Sequence, residues 1–289
     1  MILGIDFGGT KVALATADAT GRPLRRTRLE TLAADGAERV VRRALDAAHR
    51  LLAETPGTLA AVGVSTFGVV RGGRVRLAPN VPGWEDLPLP DLVSGALGAP
   101  VRVDNDVNAA TAAEARWGRL AGVGTGVYVN LGTGLGAGIV VGGRVVPGAH
   151  GAAGEIGYLL RRPGEPGCAQ GRAPLEEYAS GSGLAARASA LLGEPVTAAG
   201  LFARRDEPKA AALLDGTAAV LGMAVANLAT TLDPERVVLG GGMAAEPSLL
   251  PAIRETVARA VPFPPEVVTA RFVDDAALIG AIALAGTEA

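Results

Sequence analysis

Two short segments of the chain share one pattern, and each predicts a β-hairpin with a phosphate-type turn. Residues 2–16 have the sequence ILGIDFGGTKVALAT, and residues 127–141 have the sequence VYVNLGTGLGAGIVV. In each segment an apolar, β-branched run reaches a polar residue, Asp6 or Asn130, just before a turn rich in glycine and threonine. Glycines allow a phosphate to approach the backbone N–H groups of such a turn. The repeat therefore predicts two related domains that grip a polyphosphate, and ATP is the expected nucleotide.

Composition limits the class of protein. The chain has 289 residues, enough for two domains with their own cores. A net charge of −2 argues against a nucleic-acid-binding surface. The single cysteine excludes an internal disulfide, and the first residues show no signal peptide, so a cytoplasmic protein is expected. The uncharged stretch 121–143 contains nine glycines, which argues against a membrane span.

Hydrophobic periodicity predicts alternating strands and helices. The apolar stripe in 36–54 predicts a helix, and the apolar run 60–65 predicts a buried strand. Frequent glycine and proline in 66–90 predict a long loop. Further helices are predicted near 89–97, 106–117, 248–260 and 274–286 and within a helix-rich segment 174–230, and further strands near 24–31, 101–103 and 237–239. This alternation predicts an α/β protein with two similar halves and a cleft between them, with the last helix packed on the first half.

The first hairpin supplies the residues expected beside the phosphates. Asp6 ends the first predicted strand, where a carboxylate would hold Mg²⁺ directly or through water. The alternative is a turn-forming aspartate that caps its own backbone. Lys11 is one of only two lysines, and its compact ammonium suits a phosphate. The alternative is a chance position on a strand edge. The Walker pattern is absent, which excludes a P-loop NTPase.

Asp106 is the best candidate for a catalytic residue. It lies in VDNDVN, after a short predicted strand and at a helix start. A carboxylate there could accept the proton of a sugar hydroxyl as that oxygen attacks the γ-phosphate, and Asn105 could position the sugar. The alternative role for Asp106 is a helix N-cap. Asp104 is the rival carboxylate, but strand alternation directs it away from Asp106.

Two further acidic positions are candidates for sugar binding. Glu155 lies among small residues in GAAGEIGY, which suggests an inward carboxylate with a fixed partner such as sugar hydroxyls; the alternative is an exposed residue on a glycine-rich loop. Glu176 and Glu177 begin a helix, where acidic residues favour the helix dipole, and this role is favoured on local sequence alone. One cysteine and two histidines give no zinc-site spacing, so zinc is not expected.

Together these segments resemble the ROK family of bacterial sugar kinases and related repressors, within the actin-like ATPase superfamily. The matching segments run in family order along the chain: DFGGTK (6–11), APNVPGW (78–84), DNDVNAA (104–110), LGTGLGAG (131–138), GAAGEIGY (151–158), LEEYASG (175–181), VVLGGG (237–242) and DDAALIGA (274–281). The resemblance implies a two-domain α/β fold of the actin-like (ribonuclease H-like) type with a central cleft. The smaller domain is expected at 1–105, completed by 274–289, and the larger at 106–273.

The resemblance also implies a role for each matching residue. Asp106 would be the catalytic base, and Asp6 would hold Mg²⁺ through phosphates or water. The sugar would be bound by Asn80, Asn105, Asp106, Glu155 and Glu176. ATP and Mg²⁺ would be held by Asp6, Gly8, Gly9, Thr10, Lys11, Gly132, Thr133, Gly134, Gly241 and Gly242, with Gly240–Gly242 near the adenosine.

The chain departs from the family pattern at the zinc site. The family usually has histidine at the position of Tyr158 and a cysteine-rich zinc loop where this chain has GCAQGRAPL, which keeps only Cys168. These departures leave the identity of the sugar and its affinity undecided. No DNA-binding module precedes the first hairpin, so a repressor is disfavoured.

The expected function is ATP-dependent phosphorylation of a hexose, with glucose first. An N-acetylhexosamine or fructose kinase is the alternative within the class. A catalytically silent sugar or nucleotide sensor would be expected to have lost Asp106, and a filament-forming ATPase would not need the Asn105–Asp106 pair or Glu155. A homodimer is expected, with no nucleic-acid or membrane partner.

Overall fold

A computed structural model describes residues 1–78 and 81–286. The strands are β1 (Ile2–Phe7), β2 (Lys11–Ala17), β3 (Pro23–Glu30), β4 (Ala61–Thr66), β5 (Val69–Arg71), β6 (Arg74–Arg76), β7 (Val101–Asn105), β8 (Thr125–Leu131), β9 (Leu135–Val141), β10 (Arg144–Val145), β11 (Arg236–Gly240) and β12 (Glu266–Thr269). The α-helices are α1 (Ala37–Ala53), α2 (Leu89–Leu97), α3 (Asp106–Trp117), α4 (Pro174–Ala179), α5 (Gly181–Leu192), α6 (Ala198–Phe202), α7 (Pro208–Leu232), α8 (Leu249–Ala260) and α9 (Ala276–Ala285). The chain forms two compact units.

Unit 1 consists of Met1–Trp117, Pro147–Ala152 and Asp275–Ala289. Its five-stranded sheet has the order β3-β2-β1-β4-β7, in which β1 pairs antiparallel with β2 and parallel with β4. Because β4 also pairs parallel with β7, the carboxyl ends of β1, β4 and β7 lie at one edge of the sheet. That edge carries Asp6, near the end of β1, and Asn105, the last residue of β7 before α3.

Small residues allow the C-terminal helix α9 to pack closely in unit 1. A Cβ atom at Gly63 of β4 would lie 1.7 Å from the carbonyl oxygen of Ala281, and one at Gly280 would lie 2.0 Å from that of Ala109 in α3. These contacts need glycine, because a methyl group would overlap the backbone of the neighbouring element. The predicted packing of the last helix on the first half of the protein agrees with this arrangement.

Unit 2 consists of Gly118–Val146 and Ala153–Asp274. Its sheet has the order β10-β9-β8-β11-β12, with β8–β9 antiparallel and β8–β11 and β11–β12 parallel. The order and directions repeat those of unit 1, so the hairpin repeat in the sequence extends to whole sheets. The stretch 121–143 contains the β8–β9 hairpin. Among the described helices, α7 is apolar and long enough to cross a membrane. It packs against α8, and its buried face lies in the core of unit 2.

One local expectation needs correction. The predicted loop 66–90 contains the hairpin β5–β6, joined by Gly72 and Gly73 with φ of +57° and +73°. Two positive φ values are what a tight two-residue hairpin turn requires, so the Gly-Gly pair was an available signal. Strands β10 and β12 were not predicted. The predicted helix-rich segment 174–230 is confirmed, since it contains the four helices α4 to α7.

The division of the chain also differs from the expected boundary at 105/106. Strand β7 runs directly into α3, and α3 packs on α9 within the same unit. Unit 1 therefore continues through Trp117 and also takes in Pro147–Ala152.

Candidate active site

The turn of the first hairpin is built to expose its backbone. The Gly8 N–H donates to the carbonyl oxygen of Lys11 at 3.0 Å, and a Cβ at Gly8 would lie 2.8 Å from that oxygen. Thr31 fixes the turn from β3's end, because its hydroxyl donates to the Gly8 carbonyl at 2.7 Å and its N–H to the Thr10 carbonyl at 2.9 Å. Among the described residues the N–H groups of Gly9 and Thr10 have no protein acceptor. Such a turn suits an anionic phosphate.

Asp6 of β1 is a partly buried carboxylate at the carboxyl edge of the sheet. The Ser65 hydroxyl on β4 donates to Asp6 Oδ1 at 2.8 Å, so the contact joins neighbouring strands and is not a cap on the turn. Burial raises the pKa of Asp6 to about 6; the charges of Asp106 and Asp275 also raise it, while Ser65 and Lys11 lower it. A nearby divalent cation would favour the ionised form. Asp6 therefore fits a Mg²⁺–phosphate group.

Asn105 and Asp106 have different roles at the start of α3. Asn105 Oδ1 accepts the N–H of Asn108 at 2.7 Å, which is the N-cap to N3 contact. Asp106 is the first helical residue; it is exposed, and its Oδ1 accepts the N–H of Val107 at 3.0 Å. The capping role suggested for Asp106 thus belongs to Asn105, whose Nδ2 group remains for a ligand.

The rival carboxylate Asp104 has a structural role. Its Oδ1 accepts the backbone N–H of Asn105 at 2.8 Å and the side-chain amide of Asn108 at 2.9 Å. Burial raises the pKa of Asp104, and these two hydrogen bonds lower it. The alternation argument that set Asp104 apart from Asp106 is wrong, because residues i and i+2 of a strand lie on the same face. The two side chains differ because β7 ends at Asn105 and α3 begins at Asp106.

The turn of the second hairpin, in unit 2, is anchored to the start of α5. The Gly132 N–H donates to the Gly134 carbonyl at 3.1 Å, and the Gly181 N–H donates to the Gly132 carbonyl at 2.8 Å. The N–H and hydroxyl of Ser182 both donate to the Thr133 carbonyl, at 3.1 and 2.7 Å. The turn is thus held through its carbonyl groups.

Glu176 lies over this second turn. Its Oε2 accepts the N–H of Leu135 at 2.9 Å, and a Cβ at Gly134 would lie 2.7 Å from that oxygen. The helix-terminus role that local sequence favoured fits Glu177 instead, which accepts the N–H of Ala173 at 2.9 Å. Glu176 therefore points from α4 to the glycine turn.

Tyr158 interacts electrostatically with both glutamates that are predicted to bind the sugar. Burial raises the pKa of Tyr158, and the neighbouring Cys168, Glu155 and Glu176 raise it further. The phenol that replaces the family's histidine therefore lies close enough to both carboxylates to interact with them electrostatically. Within residues 1–78 and 81–286, no group of three or more histidine, cysteine or acidic side chains could hold a metal ion.

The glycine run after β11 meets the second turn. In parallel register Gly240 pairs with Asn130, and a Cβ at Gly241 would lie 2.6 Å from the Leu131 carbonyl oxygen and 2.8 Å from Asn130 Oδ1. Gly241 also has a φ of +83°, so glycine is required there twice over. A Cβ at Gly242 would meet no atom within 4 Å, which leaves space beside that residue.

Each unit thus brings together part of the predicted site. Unit 1 carries Asp6, the Gly8–Lys11 turn, Asn105 and Asp106, and unit 2 carries the Gly132–Gly134 turn, Glu155, Glu176, Gly241 and Gly242. Asn80 lies outside the described residues.

Two residues that interact with Asp6, Ser65 and Asp275, were not predicted from the sequence. Ser65 pairs directly with Asp6 in the β1–β4 register, so a polar residue near the end of the next parallel strand was the available signal. The charge of Asp275 raises the pKa of Asp6, and Asp275 forms ion pairs with Arg26 and Arg28. Asp275 belongs to the matching segment DDAALIGA, but the sequence predicted no role for it.

Known proteins similar to this chain identify its family. The family model described as "ROK family" matches residues 2–288. The chain belongs to the ROK family. A ROK hexokinase from Thermus thermophilus is 35% identical with a TM-score of 0.88, over 98% of this chain and 97% of that one. The predicted family and the two-domain actin-like ATPase fold class are confirmed.

Other proteins similar to this chain are named for two different sugars. A glucokinase from Streptomyces griseus, solved in complex with glucose and AMPPNP, is 32% identical with a TM-score of 0.79, over 98% of both chains. An N-acetylmannosamine kinase from Escherichia coli O157:H7 is 33% identical over 99% of this chain and 98% of that protein. Both similarities span nearly the whole chain, so neither depends on a shared fragment.

Proposed function

We propose that this ROK-family protein transfers the γ-phosphoryl group of ATP to a hydroxyl group of a hexose, with glucose as the preferred acceptor. The observation that carries the proposal is Asp106, an exposed carboxylate at the first position of α3. It lies near the partly buried Asp6, and Asn105 supplies the helix cap. The family relationship supports the same activity, since similar proteins include a hexokinase and a glucokinase.

The nucleotide would be held by the two hairpin turns. The uncapped N–H groups of Gly9 and Thr10 would donate to phosphate oxygens, and the Gly132–Gly134 turn would do the same in unit 2. Asp6 would hold Mg²⁺, which when bound neutralises charge on the transferring phosphoryl group. Lys11 supplies a further positive charge at the same turn, and the open space at Gly242 suits the adenosine.

The acceptor sugar would be oriented by amide and carboxylate groups. Asn105 can donate through Nδ2, and the oxygens of Glu155 and Glu176 can accept hydrogen bonds from sugar hydroxyls. Asp106 accepts the proton of the hydroxyl whose oxygen attacks the γ-phosphorus. The Tyr158 phenol adds a donor beside the two glutamates, and Asn80 is predicted to contact the same sugar.

Asp106→Asn tests the proposal. The amide keeps the shape of the side chain but cannot serve as the base, so kcat should fall on the order of 10²-fold or more while ATP binding is retained. Turnover is measured by a coupled ADP-release assay, and nucleotide affinity by calorimetry. Asp46→Asn, an exposed aspartate in the middle of α1, is the matched control. Near-normal turnover of Asp106→Asn would refute the role of the base, and no turnover of any hexose by the natural chain would favour a sensor.

The similarity to an N-acetylmannosamine kinase keeps an N-acetylhexosamine as the second candidate acceptor. A panel of glucose, fructose, N-acetylglucosamine and N-acetylmannosamine at equal concentration decides between them through kcat/KM. Homodimer formation and a cytoplasmic location stay predictions; sedimentation velocity and cell fractionation measure them.

A further inference from the structure

Arginines dominate the lining of a cavity in unit 2. The cavity has a volume of about 350 Å³, at the small end of the range for metabolite sites. Its charged lining is Arg161, Arg162, Arg172, Arg187, Glu165 and Glu177. None of these residues belongs to the candidate active site described above.

The two glutamates neutralise only two of the four arginines. Glu165 pairs with Arg161, whose guanidinium and backbone N–H both donate to it, the latter at 2.8 Å. Glu177 accepts two hydrogen bonds from Arg172 Nε, at 2.8 and 2.9 Å. Among residues 1–78 and 81–286, neither Arg162 nor Arg187 forms a salt bridge with a carboxylate. The lining therefore carries an excess of two positive charges.

Arg187 is held rigidly at this cavity. Its Nη1 donates to the Tyr178 carbonyl at 2.9 Å and to Thr217 Oγ1 at 3.2 Å. Its guanidinium carbon lies 3.6 Å from the centre of the Tyr178 ring, and that of Arg161 lies 4.3 Å from the same ring. Two guanidinium groups fixed on one ring repel each other, and a bound anion would reduce that repulsion.

Arg161 also has an unused donor. Its Nε is buried and has no hydrogen-bond partner among the described residues. A buried donor without an acceptor is unfavourable, so an acceptor supplied by a ligand would stabilise the site. Phosphate oxygens are such acceptors, and guanidinium groups match their geometry.

We propose that this cavity binds a phosphate monoester of hexose size. The two unneutralised arginines match the charge of a phosphate monoester, which is about −1.5 to −2 at neutral pH. Glu165 and Glu177 have lone pairs left to accept hydrogen bonds from sugar hydroxyls, and Pro166 and Pro174 supply apolar wall. The lining thus combines groups for both ends of a sugar phosphate.

Calorimetric titration of glucose 6-phosphate into the full chain tests the proposal. The titration is run with saturating glucose, AMPPNP and Mg²⁺, which keep the active site filled, and one glucose 6-phosphate should still bind per chain. Arg162→Met and Arg187→Met should each weaken that binding by about tenfold or more, because each removes a charge-assisted contact. Arg259→Met, an exposed arginine of α8, should leave it unchanged. Arg162 is itself exposed, so its variant is expected to fold even if that of Arg187 does not.

Three results would overturn the proposal: no saturable binding once the active site is filled, equal affinity of Arg162→Met and the natural chain, or inorganic phosphate binding as tightly as glucose 6-phosphate. Filling the active site with glucose relies on the proposed function. The arginine variants need no turnover, so their result stands even if the coupled assay shows that glucose is not a substrate.

Discussion

Asp6→Asn should make the ligand-free protein more stable at neutral pH while abolishing its proposed role beside the phosphates. Burial raises the pKa of Asp6 to about 6, from 3.8 in the unfolded chain. The folded state therefore resists ionisation of this side chain, and folding is opposed at any pH where the unfolded chain is ionised. Asparagine has no charge to bury and keeps an oxygen that can accept the Ser65 hydroxyl.

The sign and size follow from these two values. Because the folded pKa is the higher one, the stability contribution is fully present below about pH 4 and is lost as the pH rises through about 6. The difference of about two pKa units corresponds to about 3 kcal/mol in the free energy of unfolding above pH 7. About half of this difference in the free energy of unfolding should be present at pH 5. The advantage of Asp6→Asn should grow over the same pH range.

Chemical denaturation at pH 5 and pH 7.5, with EDTA and no nucleotide, measures the effect. Asp18→Asn is the control of opposite sign: hydrogen bonds from Thr20 and Arg22 lower the pKa of Asp18, so this substitution should be destabilising at pH 7.5. Lower stability of Asp6→Asn than of the natural chain at pH 7.5, or a stability difference that does not change with pH, would refute the reasoning.

Three further predictions concern packing, the sugar site and metal content. Gly280→Ala places a methyl group against the backbone of α3 and should lower the free energy of unfolding by about 1–3 kcal/mol or more in urea titrations, whereas Gly95→Ala in the open part of α2 should not; equal stabilities would contradict this packing. Gly134→Ala pushes against the Glu176 carboxylate, so KM for the sugar should rise with little change in Tm, and an unchanged KM would argue against a sugar role for Glu176. Elemental analysis should find no stoichiometric zinc; one zinc per chain would show that the loop around Cys168 forms a metal site.

The features predictable from sequence were those that short segments encode. The Gly-Thr turns and the alternating apolar residues around Asp6 and Asn130 specify hairpins locally, and their repetition gave the two-part α/β fold. The close approach of Ser65 to Asp6 depends on the register of two parallel strands 59 residues apart, which no local pattern reveals. The inclusion of α3 in unit 1 likewise depends on the contact of Gly280 with Ala109, at the other end of the chain.

The segment Asp104–Asp106 shows why a local pattern could name the catalytic candidate without dividing the roles. All three side chains are polar, and any of them is compatible with a helix start. The structure separates them by position. Asp104 pairs with Ser65 in the β4–β7 register, and Ser65 pairs with Asp6. Asn105 caps the helix, and Asp106 is in its first turn. The first turn stabilises a negative charge through the helix dipole, whereas the nearby charge of Asp6 opposes it. A base must be ionised to accept a proton, and a neutral amide at the cap adds no further negative charge to this edge of the sheet. The order Asp-Asn-Asp therefore suits a general base better than three carboxylates would.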